Sequence, residues 1–179
     1  MVAEAQLTEA LMPFRPSLDE ICRDDLHLTD SFDESVLKGR IGEALVRKWL
    51  ERAPVQPDEG FPRRVGSYSI AKTANGISVW NGTTPIHEFD CLFFYEGQPY
   101  IGEVKSMKVG PLHKMIESSL RIGEEIYGQP VKLVIFTPLY GGKKEYKRFV
   151  EERFHNVICV DLGYTKHDLH AATKRLSAQ

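Results

Sequence analysis

Cysteine is scarce. The 179 residues hold three, Cys22, Cys91 and Cys159, widely spaced and without a Cys-x-x-Cys pair. That pattern leaves no zinc ribbon and no thioredoxin-type motif. Free thiols in a reducing cytosol are the expectation, so the chain is read as cytoplasmic. Long apolar runs are missing too: none approaches the ~18 uncharged residues of a membrane span, and no membrane partner is expected. The opening stretch MVAEAQLTEALMPF carries two acids and no basic residue, unlike a signal peptide. Neither charge dominates, with 23 Lys plus Arg against 25 Asp plus Glu and a net charge of -2. Any nucleic-acid surface must then be a local patch. Repeats and low-complexity tracts are absent. Gly141-Gly142-Lys143-Lys144 lacks the spacing of a phosphate-binding P-loop, which leaves nucleoside triphosphate hydrolysis without support.

What remains is ordinary globular material: 42% apolar residues, 27% charged residues and a mean hydropathy of -0.30. The length suits one domain with its own hydrophobic core. Residues 1–30 are helical in pattern, with Ser17 and Glu20 at capping-box spacing and Leu18, Ile21, Cys22 and Leu26 on one face. A second helix follows, opened by Ser31 and Glu34, with Leu37, Ile41, Ala44, Leu45 and Trp49 at helical intervals. Pro54 and Pro57 end it, and residues 54–64 read as a loop.

The period then changes. VGSYSIAK and GISVW read as strands around an Asn75-Gly76 turn, and the stretch from Ile86 to Met107 as two more around Glu96-Gly97-Gln98-Pro99. Residues 111–127 return to a helical period through Leu112, Met115, Ile116, Leu120 and Ile126, with Gly128 as the stop. VKLVIFT, a basic helix from about Lys143, NVICVDL and a last helix over 165–176 complete the chain. The expected fold is α/β: one central mixed β-sheet flanked by helices on both faces.

Chemistry concentrates at Asp90, Glu103 and Lys105. Glu103 and Lys105 are two apart on a strand, so they share a face, and the turn between the strands brings Asp90 alongside. Two carboxylates and a lysine on one sheet face are costly to bury without partners. A divalent cation resolves much of that cost, because Mg²⁺ is often held by one or two carboxylates plus water and phosphate. Such an ion polarises a phosphoryl oxygen and lowers the pKa of a bound water.

The spacing Asp90-x12-Glu103-x-Lys105, preceded by a helix carrying Gly39-Arg40-Ile41-Gly42-Glu43, resembles the PD-(D/E)XK nuclease superfamily and its archaeal Holliday junction resolvase-like members. Phe89 stands where the family name has proline. The resemblance covers roughly residues 31–140. It implies a restriction-endonuclease-like core in αβββαβ order over 31–179, with residues 1–30 as an accessory helical arm. It also implies a metal-dependent endonuclease acting on DNA rather than RNA, with branched DNA in recombination, repair or defence among its substrates. Glu43, Asp90 and Glu103 would hold Mg²⁺ or Mn²⁺, Lys105 would be the catalytic lysine, and a homodimer follows by analogy. Arg40, Lys108 and Lys114 are the candidate phosphate contacts.

Plainer roles stand beside these. Glu43 could pair with Arg47 on the helix surface. Asp90 could pair with Lys105, and Glu103 with Lys105, as structural ion pairs. An RNA-cleaving or partner-dependent nuclease of the same fold, its substrate affinity supplied by another protein, is the alternative function. A non-catalytic binding module is the third.

Overall fold

The computed structural model describes residues 2–26, 34–74, 76–105, 112–137 and 144–178. It is a mixed α/β protein with a central mixed sheet and flanking helices. Helix α1 spans Val2–Leu11 and α2 Glu34–Arg52. Seven strands follow: β1 Gln56–Pro57, β2 Arg63–Val65, β3 Tyr68–Thr73, β4 Gly76–Asn81, β5 Thr84–Phe89, β6 Cys91–Tyr95 and β7 Gln98–Val104. Then come α3 Leu112–Tyr127, β8 Lys132–Thr137, α4 Lys144–Arg153, β9 Val157–Asp161 and α5 Lys166–Ser177.

The strands form two sheets rather than the expected single one. The central sheet has the order β1-β6-β7-β8-β9, antiparallel as far as β7 and parallel beyond it. The second sheet, β2-β3-β4-β5, is antiparallel throughout. The stretch 86–95 reads as one strand, yet it changes sheets at Asp90. Phe89 ends β5 in the outer sheet, and Cys91 begins β6 in the central one. The stretch 54–64, expected as a loop, contributes the short strands β1 and β2.

Alternation along β7 sends side chains into two different cores. Tyr100 joins Trp49, Val46 and Phe136 beneath α2. Ile101 joins Ile116, Leu120 and Ile126 of α3, together with Ile70, Val79 and Phe89 of the outer sheet. Leu37, Ile41, Ala44, Leu45 and Trp49 are all buried, as the helical period requires. Gly42 answers a packing need: a Cβ there would stand 3.1 Å from Val104 Cγ1. The β6–β7 turn carries positive φ at both Glu96 and Gly97, the geometry of a tight primed hairpin.

Residues 12–26 form three short 3₁₀ turns instead of a regular helix. The Ser17–Glu20 capping box is present there. Leu18, Ile21 and Leu26 are buried as read, whereas Cys22 is exposed. Ser31, Asn75 and the Gly141-Gly142-Lys143 stretch lie outside the described residues. Among the described residues no helix is long and apolar enough to cross a membrane.

Candidate functional site

The corner between β5 and β6 is where the site is built. Asp90 occupies it, half-buried, and its Oδ2 accepts a 2.6 Å hydrogen bond from the backbone N–H of Val104. Val104 lies between Glu103 and Lys105, so this one bond ties Asp90 to both remaining motif residues. The Lys105 backbone N–H donates to the Phe136 carbonyl at 2.9 Å, extending the pairing of β7 with β8 one residue past the strand. Glu103 is 3% exposed. Its Oε2 accepts from Lys105 Nζ at 2.9 Å, as the shared strand face demands.

Burial and the nearby negative charge of Glu103 push the Asp90 carboxyl up to about 7, against the opposing pull of the Val104 N–H and Lys105. Glu43 adds a smaller upward push. At Lys105 burial works against the charged form, but Glu103, Asp90 and Glu43 outweigh it and raise the ammonium group above its ordinary value. Excess negative charge therefore gathers where the strands end, with one lysine insufficient to neutralise it.

Glu43 reaches this region from α2, and its Oε2 is held by Arg40 Nη1 at 2.8 Å. That is an i,i+3 pair, not the expected pairing with Arg47. Glu43 and Asp90 line one cavity of about 530 Å³, together with Arg47, Lys72, Asp58 and Val104. Arg40 is thus near the site through Glu43, while Lys114 is exposed on α3. Lys108 lies outside the described residues.

Among the described residues, no three His, Cys, Asp or Glu side chains stand close enough together to share a metal ion. The donor set nonetheless fits a hard divalent cation held by few protein ligands. Asp90 and Glu103 supply carboxylate oxygens whose mutual repulsion such a charge would relieve, and Mg²⁺ commonly completes its shell with water and phosphate. Glu43 Oε2 is engaged by Arg40.

Two further side chains belong to this cluster and were not singled out from the sequence. Ser119 of α3 is fully buried and donates from Oγ to Glu103 Oε1 at 3.4 Å, with Met115 Sδ also at 3.4 Å. His87 of β5 places Nε2 3.0 Å from Ser119 Oγ and 3.8 Å from Glu103 Oε1. Ser119 carried a legible sign: with Ile116 and Gly123 it falls on the apolar face of an amphipathic helix, where a hydroxyl needs a partner. His87 carried none, because its partners come from another element. Lys72, on the cavity wall, was also unmarked.

No family model and no curated protein matches the chain. Two solved structures are distantly similar. Protein VC1899 from Vibrio cholerae shares 11% identity at a TM-score of 0.43, over 82% of this chain and 37% of that one. Can2 from Sulfobacillus thermosulfidooxidans, solved in complex with cyclic tetra-adenylate, shares 13% identity at a TM-score of 0.41, over 97% of this chain and 55% of that one. The chain spans less than two thirds of the length of either. Likenesses this distant leave the chemistry to the side chains themselves.

Proposed function

We propose that this chain is a metal-dependent endonuclease of the PD-(D/E)XK type on a restriction-endonuclease-like core, hydrolysing phosphodiester bonds of DNA. One observation carries the reading: the Asp90 carboxylate is bonded to the backbone between Glu103 and Lys105. Asp90 and Glu103 would hold Mg²⁺ or Mn²⁺, with Glu43 as a third carboxylate. The ion, when bound, supplies Lewis acidity at the phosphoryl group and a more acidic water. Lys105 Nζ is held by Glu103 beside that position. It can orient the attacking water and offset the charge that develops on the phosphate oxygens. Arg40, Lys108 and Lys114 are the proposed backbone-phosphate contacts, whose charge adds affinity without reading sequence. The near-balanced net charge of -2 would suit a partner protein that adds substrate affinity, and a homodimer follows by analogy alone.

The test is cleavage of plasmid, single-stranded DNA, four-way junction DNA and RNA with Mg²⁺, Mn²⁺ or EDTA. Metal-dependent scission of DNA is expected, abolished by Asp90→Asn and Glu103→Gln. Lys105→Ala should slow cleavage by about 10²–10⁴-fold while Mn²⁺ binding persists. RNA scission with silent DNA lanes selects the RNA-cleaving form. Silence on every substrate with enzyme in excess, and no calorimetric Mn²⁺ binding, leaves a non-catalytic module.

A further inference from the structure

His87 of the outer sheet reaches toward the Glu103 carboxylate. His87 comes from β5, Ser119 from α3 and Glu103 from β7, so three elements from two sheets and a helix meet at this point. The partners orient the two inner contacts. Ser119 Oγ donates to Glu103 Oε1 at 3.4 Å. Its remaining capacity toward His87 is then as acceptor, which requires a hydrogen on Nε2 at the 3.0 Å contact. Ser118 Oγ stands 3.5 Å from the other ring nitrogen, Nδ1. The two inner contacts run in one sense: His87 to Ser119, Ser119 to Glu103. The imidazole also packs on Phe89, ring centroids 4.5 Å apart, which fixes its plane.

We infer that His87 is a positioning residue. Acting through Ser119, it fixes one oxygen of Glu103 while Lys105 holds the other, so the carboxylate has a single orientation toward the ion and phosphate of the proposed reaction. This rests on the nuclease reading for its catalytic consequence, but the orienting role belongs to the protein itself. Groups that orient metal-binding side chains from behind typically change affinity or activity by about 10- to 100-fold.

The experiment uses the full chain with H87F, H87Q, S119A and the H87F/S119A pair. Phenylalanine keeps the ring against Phe89 and removes both nitrogens, whereas glutamine can return a donor near the Nε2 position. H87F and S119A should each lower kcat for metal-dependent cleavage about 10- to 100-fold, with KM for nucleic acid within about twofold of wild type. H87Q should recover most of the loss. The pair should be no worse than either single change, since both act along one path. A wild-type kcat in H87F, no recovery in H87Q, or multiplied losses in the pair would overturn the inference. Crystal structures of wild type and H87F decide it independently of activity. The Glu103 carboxylate should adopt another rotamer in H87F, and an unmoved carboxylate would refute the positioning role even if the enzyme cleaves well. If the wild-type protein cleaves nothing, the nuclease reading fails and the Glu103 rotamer alone judges His87.

Discussion

Asp90 is unfavourable to the folded chain in its ionised form. Its carboxyl titrates near 7 in the fold against an ordinary 3.8, because burial and Glu103 both resist the charge. Between those two values the folded state holds a proton that the unfolded chain has lost, so stability falls as pH rises through this window and levels off above it. The gap sets an upper bound of about 4 kcal/mol. Asn keeps an oxygen for the Val104 N–H and carries no charge. Asp90→Asn should therefore raise the melting temperature of metal-free protein by roughly 3–6 °C at pH 8, about 1–2 kcal/mol. At pH 4 the gain should vanish, and saturating Mg²⁺ at pH 8 should close it from the other side by stabilising wild type alone. Calorimetric melts at several pH values read all three. Cys91, beside this corner, has its thiol held well above its ordinary value by burial and the Asp90 charge, so it should react slowly with thiol reagents at neutral pH. Exposed Cys22 is the comparison within the same chain.

At the scale of elements, α2 and β7 meet at Gly42 and Val104, and Val104 also holds Asp90. Gly42→Ala trades about 1 kcal/mol of helix propensity against a contact already tight at 3.1 Å, and should leave stability nearly unchanged. Gly42→Val adds methyl groups that must displace Val104. It should cost about 1–3 kcal/mol in urea melts and weaken Mn²⁺ binding as the Asp90 bond loosens. Much of this level was legible in the residues. The spacing of Leu37, Ile41 and Trp49, the Glu96-Gly97 turn and the apolar runs of β8 and β9 each announce their element locally. The shared face of Glu103 and Lys105 follows from strand geometry, and their 2.9 Å contact agrees with it. The change of sheet at Asp90 was not legible. Alternation in a run such as IHEFDCLFFY says which side is buried, not which neighbour forms the hydrogen bonds. The Arg40–Glu43 pair was hidden for a similar reason, since Arg47 offers an equally reasonable helical spacing. His87 needed knowledge of α3, and no local pattern contains that.

Across the whole molecule, residues 2–26 are fastened to segments far away in the chain. Trp49 Nε1 donates to the Leu11 carbonyl at 2.6 Å, and Leu7 and Leu11 are fully buried in the core that holds Trp49 and Phe136. Arg175 donates to the carbonyls of Leu18 and Ile21, Tyr164 to that of Pro16, and Arg15 to that of Gly163. Leu11→Ala should cost about 2–5 kcal/mol by urea unfolding, and the Trp49 emission should shift to the red as water reaches the indole. Because Asp90 stands where one sheet hands the chain to the other, neither sheet alone can set its position. During refolding, strand pairs made within either half will gather before the carboxylates face one another, as distant contacts are the slow ones. Affinity for a divalent ion should consequently emerge late in the folding time course, after most of the secondary structure, and a chain stalled halfway will be a poor chelator.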